Sequence, residues 1–503
     1  MICRMHLTRR MAGSLLAGFM AMGQQHGRRR PNILYVMTDD HPANCMSCAG
    51  HKVLRTPNMD RLAAEGVRFS NCFVTNSLCA PSRATALTGC FSHINGVRGN
   101  SEAKDAPAEY LNRDVITYPE LLKRAGYRTA VTGKWHLNDT PKGFDYSCVL
   151  PGQGQYFDPE FIEDGVRRTI RGYATDITTD KALQWLDGTR GRTDEPWLLV
   201  YQHKAPHRPF QPAPRHANLF SDADLPVPPT VDDDYSTRRL AKEAEDMRFD
   251  ISLAADYEKE IPAGLSAVEK KRWIYQRFVK DHYRATVGVD ENLGRVLDYL
   301  DKHKLTEDTV VIYTSDNGFF LGEHGWYDKR WMYEPSLRIP LLIRYPRLGV
   351  KGRVDAAFVQ NIDFAPTMLD LAGVSVPKQM QGRSLRPMLE GRAAPRDWRR
   401  SVYYTYYENS WAQLAGKGRE AHRDPSFAYL TPHRVPPHRG VRTERFKLIE
   451  YYGEGNYWEL FDLRDDPNEL SNLYSSQAYA STVAKMKAEL RRLQAQYRDN
   501  SEG

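Results

Sequence analysis

Two adjacent pairs of residues stand far apart in the chain, Asp39-Asp40 and Asp316-Asn317. All four offer hard oxygen donors, which suit calcium or magnesium; zinc would draw on histidines and thiols instead. A second set is basic: Lys134 and His136, His203 and His207, and Arg83 one helical turn after Cys79. A divalent cation ringed by such groups can clamp an oxyanion, sulfate or phosphate, while an ester bond to it is displaced.

Each pair follows a strongly apolar run. "NILYVM" leads to Asp39-Asp40, "YRTAVTG" to Lys134-Trp135-His136, "WLLVYQ" to His203 and His207, and "TVVIYTS" to Asp316-Asn317. Continuous β-branched runs of this kind are expected for strands covered on both faces of a parallel sheet. Helical patterns such as "NMDRLAAEGV" and "YPELLKRAGY" lie between them, which is α/β alternation. Open parallel sheets bind ligands beyond the carboxyl ends of their strands, where these four endings would converge. One such ending could be a simple turn. Four, with acids on two and bases on two, point to a site.

Residues 77–89 read "SLCAPSRATALTG". Proline suits a first helical turn and Gly89 a helix end, so a short helix is predicted with Cys79 at its N-terminus. There the dipole lowers a thiol pKa and favours an anion, with Arg83 on the same face. A buried structural thiol, a thiolate nucleophile and a cysteine converted into another group are the three readings of this stretch.

The stretch resembles the signature of the type I sulfatases, C-x-P-S-R followed by a leucine-threonine-glycine ending. "GYRTAVTGKWHL" resembles the second signature of that family, with Asn138 where a glycine is usual. "PNILYVMTDD" and "TSDNG" also match, so the resemblance runs from about Pro31 to the C-terminus. It implies an alkaline phosphatase-like α/β fold, a mostly parallel central sheet flanked by helices with a smaller C-terminal α+β subdomain. It implies that a formylglycine-generating maturation enzyme oxidises Cys79 to formylglycine. The hydrated aldehyde would attack sulfur with one hydroxyl and expel sulfate with the help of the other, covalent catalysis that a serine could not complete. Asp39, Asp40, Asp316, Asn317 and the converted Cys79 would hold one calcium. Arg83 and Lys134 would stabilise formylglycine and sulfate, and His136 would assist breakdown of the sulfated diol. His207 and Lys329 would contact sulfate and help protonate the leaving oxygen. His207 is preferred to His203 because "APHRP" fits the family frame. His93 is close enough to the first signature to reach a substrate.

"FLGEHGWYDKRWMYEPSLRIPLLIRYP" and "HKAPHRPFQPAPRH" resemble bacterial sulfatases of glycosaminoglycans or mucins, especially N-acetylglucosamine-6-sulfatases. The expected substrate is therefore a sulfated carbohydrate, a terminal 6-O-sulfated N-acetylglucosamine cleaved in exo fashion. Other sulfated sugars (N-sulfoglucosamine, uronic acid 2-sulfate, galactose or fucose sulfate), a phosphate or phosphonate monoester hydrolase, and a silent sugar-binding relative are the alternatives.

The 503 residues carry a net charge of +7, but residues 1–30 hold six arginines and no acid, leaving 64 basic against 63 acidic groups in the rest. No nucleic-acid footprint is expected. No apolar run reaches the roughly 18 residues of a membrane span, so no stable membrane insertion is expected. Arg4, Arg9 and Arg10 before an apolar stretch from Met11 to Met22 form a signal-peptide layout, implying export to the periplasm or outside. Seven irregularly spaced cysteines do not form a disulfide framework, and Cys45 and Cys48 are read as packed or loop thiols. His41, His51 and His324 are read as loop or capping histidines, Trp326, Trp331 and Tyr333 as core or sugar-stacking rings, and the acidic stretch 222–234 as a solvated loop. A composition change near Gly391 divides a catalytic domain, 31–391, from a C-terminal subdomain, 392–503. There "SVYYTYYE", "GVRTERFKLIEYY" and "YWELFDLRDDPNEL" alternate like antiparallel strands, and Val483, Met486, Leu490, Leu493 and Tyr497 follow a helix period.

Overall fold

The computed structural model describes residues 30–100, 108–189, 195–407, 435–452 and 457–500. The expected leader over 1–30 lies outside the described residues apart from Arg30, and so does Cys3. Among the described residues, no helix is long and apolar enough to cross a membrane.

The four apolar runs form strands Asn32–Asp39, Arg128–Lys134, Trp197–Pro206 and Thr309–Ser315. They are fully buried or nearly so because both faces are covered. Ile33, Tyr35 and Met37 enter one hydrophobic cluster, while Leu34 and Val36 enter another on the opposite face. That two-sided burial explains why these strands read as continuous rather than alternating apolar runs. The sheet has ten strands. Its centre is parallel, in the order Thr309–Ser315, Asn32–Asp39, Trp197–Pro206, Arg128–Lys134, Tyr146–Leu150. Both flanks add antiparallel pairs, Leu341–Arg344 on one side and Glu160–Glu163 on the other. The long helix Ala267–Lys302 packs against one face and is opened by a capping box between Ser266 and Glu269.

Register sets the positions of the strand ends. Thr38 pairs with Ser315, so Asp39 and Asp316 leave neighbouring strands side by side. Met37 pairs with Gln202 but Asp39 pairs with Pro206, so the Trp197–Pro206 strand bulges between those two contacts. The bulge carries the strand through His203 and Lys204, beyond the expected end at Gln202, and delivers His207 beside Asp39. Gly133 has φ 92, and a Cβ there would lie 1.7 Å from the Gln202 carbonyl oxygen, so only glycine allows the two strands to approach.

After the short helix Arg386–Leu389 the chain enters a second sheet of four antiparallel strands, Ser401–Tyr406, His438–Thr443, Phe446–Tyr451 and Tyr457–Asp462. The helix Ala480–Tyr497 covers it, burying Met486, Leu490, Leu493 and Tyr497. The seam to the large sheet is polar and buried. Lys447 lies between Glu469 at 2.6 Å and Glu334 at 3.0 Å, and Arg442 reaches Glu334 at 3.3 Å.

Candidate active site

Residues 79–88 form the expected helix, with Gly89 left-handed at its end. All ten residues are buried, because the helix runs into the molecule beneath the strand ends. Asn100 accepts the Ala80 N–H at 3.0 Å, satisfying one of the donors that open the helix. Asp39, Asp40, Cys79 and Asp316 each place a ligand atom within 4.8 Å of the others. Adjacent strand residues would face opposite ways. Asp40 instead adopts φ 63, and this left-handed turn swings its carboxylate to the side that Asp39 faces.

The cations interleave with the acids. Lys134 Nζ donates to Asp39 Oδ2 and to Gln153 Oε1. Lys329 Nζ donates to both oxygens of Asp40, at 2.6 and 2.8 Å. Arg83 donates from Nε to Asp316 Oδ2 at 2.9 Å, and from NH1 to the Lys134 carbonyl at 2.6 Å and to Gln202 Oε1 at 2.8 Å. Asn317 Nδ2 donates to Asp316 Oδ1 at 2.9 Å and lies 3.6 Å from Cys79 Sγ.

These contacts split the ionisation states. Burial alone would raise Asp39, but Lys134, then His207, Arg83 and Lys329, hold it well below the carboxylate range. Burial pushes Asp40 up to about 8, against the pull of Lys329 and with the push of Asp39 and Asp316. Burial would lower Lys329, yet the acids around it, Asp40 first and then Asp328 and Asp39 among others, lift it well above an ordinary lysine, so it carries its proton. His207 is held neutral, chiefly by burial. Its Nδ1 lies 2.7 Å from the Arg208 carbonyl, to which it must donate, so Nε2 is the acceptor and faces Asp40 Oδ2 at 3.6 Å. Cys79 departs from expectation. Burial and the Asp39 charge push its thiol well above 9.0, outweighing the helix dipole and the nearby lysines. Burial thus disfavours a thiolate at this position, and Cys79 Sγ donates to Asp39 Oδ1 at 3.3 Å.

The donor set fits a hard divalent cation. Three carboxylates face one point in a buried site, and the buried Asn317 Oδ1 has no hydrogen-bond partner among the described residues. An oxygen-lined site with an orphaned carbonyl is what calcium coordination takes up.

His136 follows the Arg128–Lys134 strand in a left-handed conformation, φ 56, and lines a cavity of about 280 Å³ with Ala80, Asn100, Glu109 and Gln153. A larger cavity of about 350 Å³, lined among others by Asn44, Arg68, His324 and Arg338, contains none of the clustered residues. His203 points into the interior against Tyr201, with neither ring nitrogen partnered among the described residues, whereas His207 Nε2 faces Asp40 Oδ2. The structure does not bring His93 into the cluster. Its Nε2 bonds the Tyr497 carbonyl at 2.8 Å and its ring stacks on Phe91, at the C-terminal helix. Trp326, Trp331 and Tyr333 are completely buried core rings. His41 and His324 are buried as well, His41 between Tyr313 and the Cys45 carbonyl. His324 binds Asp233 at 2.6 Å, so the acidic stretch is not all solvated. Gln153, Gln202 and Lys204 were missed by sequence reasoning. Lys204 donates to the Gln153 carbonyl at 3.1 Å, and its contacts cross segments that no local motif joins.

The sequence profile of the family described as Sulfatase matches residues 31–374, and that described as N-sulphoglucosamine sulphohydrolase, C-terminal, matches residues 409–496. The chain is 41% identical to the N-acetylglucosamine-6-O-sulfatase of Bacteroides thetaiotaomicron over 522 aligned residues, spanning 95% of this chain and 88% of that protein. A solved structure of a protein in complex with its substrate D-glucosamine-2-N,6-O-disulfate superposes with a TM-score of 0.81 at 40% identity, covering 94% of this chain and 99% of that one. The phosphonate monoester hydrolase of Silicibacter pomeroyi shares the fold, with a TM-score of 0.75 at 23% identity over 94% of this chain and 96% of that one. With its family profile matched across more than half its length and its acids, cations and cysteine gathered at the strand ends, the chain belongs to the sulfatase family of sulfuric ester hydrolases.

Proposed function

We propose that this sulfatase removes the 6-O-sulfate from terminal N-acetylglucosamine or glucosamine residues of glycosaminoglycan or mucin fragments, acting in exo fashion. The observation that carries the chemistry is the buried convergence of Asp39, Asp40, Cys79 and Asp316 with Arg83, Lys134, His207 and Lys329. The substrate rests on the likeness to an N-acetylglucosamine-6-O-sulfatase and to the glucosamine disulfate complex. The cavity of about 280 Å³ beside Ala80 and His136 supports a terminal sugar over a chain interior.

A calcium ion held by Asp39, Asp40, Asp316 and Asn317 would supply positive charge against sulfate oxygens and acidify a hydroxyl beside it. Formylglycine at position 79, made by a maturation enzyme, would supply that hydroxyl. Arg83 restrains the Asp316 carboxylate and the Lys134 carbonyl together, keeping two strand ends in step. Lys134 and Lys329 present buried ammonium groups that balance the charge of a bound sulfate. Lys329, lifted and protonated, would be the donor to the leaving sugar oxygen; His207, expected to share that role, is held neutral by burial with Nε2 unprotonated and would instead contact the substrate as an acceptor. His136 stands at the cavity wall, placed to take a proton in breakdown of the sulfated residue. An exported enzyme with a leader over 1–30, a catalytic domain over 31–391 and a C-terminal subdomain over 392–503 completes the reading.

The test is a panel of defined mono- and disaccharides bearing 2-O-, 3-O-, 4-O-, 6-O- or N-sulfate, with free sulfate as readout and Cys79→Ala as control. Release from 6-O-sulfated hexosamine, absent in Cys79→Ala, is expected. Activity surviving in Cys79→Ala overturns the chemistry. The match of residues 409–496 to the N-sulphoglucosamine sulphohydrolase profile favours a second reading, cleavage of an N-sulfate, which the same panel would reveal.

A further inference from the structure

The segment carrying Lys329 is an unusual piece of backbone. Asp328 and Arg330, on either side of the lysine, both lie in the left-handed region, at φ 73 and 86. Neither is glycine, so the turn needs support from its surroundings. The Asp328 carboxylate gives some, accepting from the Lys329 N–H and from Arg330 NH1, each at 2.6 Å.

The rest comes from the C-terminal sheet. Tyr404, on the Ser401–Tyr406 strand, is fully buried. Its hydroxyl donates to the Arg330 carbonyl and accepts the Ser77 N–H at 3.1 Å. One oxygen thus ties the residue after Lys329 to the segment that leads into Cys79. His438, on the adjacent strand, grips the far side of the same turn. Its Nδ1 lies 2.8 Å from the Pro436 carbonyl and must donate there, which leaves Nε2 to accept the Met332 N–H at 3.2 Å. The two rings stack with centroids 5.5 Å apart. Ser77 and Ser336 close the arrangement: their hydroxyls lie 2.7 Å apart, and Ser77 Oγ donates to the Ser336 carbonyl at 2.8 Å.

We infer that Tyr404 and His438 are a clamp through which the C-terminal sheet sets the placement of Lys329 against residue 79, making Tyr404 a positioning residue for proton delivery to the leaving group. The inference rests on the reading of Lys329 as that proton donor. Tyr403 offers the natural contrast. It is equally buried, but its hydroxyl donates to Asp499 at 2.5 Å and touches neither active-site segment.

The experiment compares wild type, Tyr404→Phe, His438→Gln, Tyr403→Phe and Lys329→Ala on 4-nitrophenyl sulfate and on phenyl sulfate, whose more basic leaving group depends more on protonation. Melting temperatures are recorded alongside. Misplacing a general acid by a fraction of an ångström costs roughly 10- to 100-fold. Tyr404→Phe is expected to lose that much in kcat on phenyl sulfate, with KM little changed, and only a few-fold on 4-nitrophenyl sulfate. His438→Gln should follow it, and supplies the test if Tyr404→Phe does not fold. Tyr403→Phe should keep the wild-type ratio between the two substrates. Equal losses on both substrates, or the same split in Tyr403→Phe, overturn the clamp. If Lys329→Ala itself shows no split, the role of Lys329 fails. If Lys329→Ala shows the split and neither clamp variant does, only the clamp fails.

Discussion

Calcium uptake by this protein should release a proton, and Asp40 should be its source. Three carboxylates, Asp39, Asp40 and Asp316, crowd one buried site, and their mutual repulsion adds to the effect of burial on Asp40. Asp40 is raised from 3.8 to about 8, a proton that belongs to the coupled group of acids. Between those two values the metal-free site retains one proton that calcium must displace. Affinity should therefore rise about tenfold per pH unit below the higher value, and at pH 6 binding should be weaker than at pH 8 by about 2.3 kcal/mol, roughly fiftyfold. The sign for stability follows. A carboxyl whose folded pKa is raised stabilises the metal-free fold fully below about 3.8, and that contribution is lost as pH climbs through about 8. Added calcium should accordingly raise the melting temperature more at pH 8 than at pH 6. Titration calorimetry in two buffers of different ionisation enthalpy counts the released protons directly. Asp40→Asn, neutral at every pH, should bind calcium more weakly and release fewer protons, since Asp316, raised by burial and by Asp39, remains in the coupled group. A calcium affinity that is flat between pH 6 and 8, or proton release undiminished in Asp40→Asn, would refute the reasoning.

Other consequences are simpler to check. Arg83→Ala strips the charged partner from buried Asp316 and removes the guanidinium donor from the Lys134 carbonyl and Gln202 Oε1, so chemical unfolding should show a loss of about 3–5 kcal/mol together with loss of turnover. Lys447→Met leaves Glu334 and Glu469 facing each other across the seam and should cost a similar ~3–5 kcal/mol, although Lys447 lies more than a hundred residues beyond Lys329 in sequence. His203→Phe removes two buried, unpartnered nitrogens and should leave stability within about 1 kcal/mol and kcat/KM unchanged, whereas His207→Ala should lower kcat/KM by roughly 10²- to 10⁴-fold.

The strands, their order of chemistry and the helix behind Cys79 were legible in the chain because each depends on local pattern. Thr309–Ser315 and residues 79–88 begin and end where apolar runs and a terminal glycine place them. The acids and bases at the strand ends could be named for the same reason, since a parallel sheet must bring such ends to one edge. The C-terminal strands and the period of Met486, Leu490, Leu493 and Tyr497 were equally local.

What tertiary structure decided depends on partners distant in sequence. The bulge opposite Met37 and Asp39 sets how far His207 is carried past the strand end to lie beside Asp39, and no property of "HKAPHRP" alone contains that register. The left-handed turn at Asp40 put two consecutive carboxylates on one side, against the alternation a strand would impose. The Cys79 thiol follows its burial and the Asp39 charge, not the helix dipole that was visible from the sequence. His93 was captured by the end of the C-terminal helix, and Trp326, Trp331 and Tyr333 by the core beneath that sheet. Tyr404 belongs to the same class. In the chain it is one tyrosine in a strand of tyrosines, and only folding brings its hydroxyl within reach of both Ser77 and Arg330.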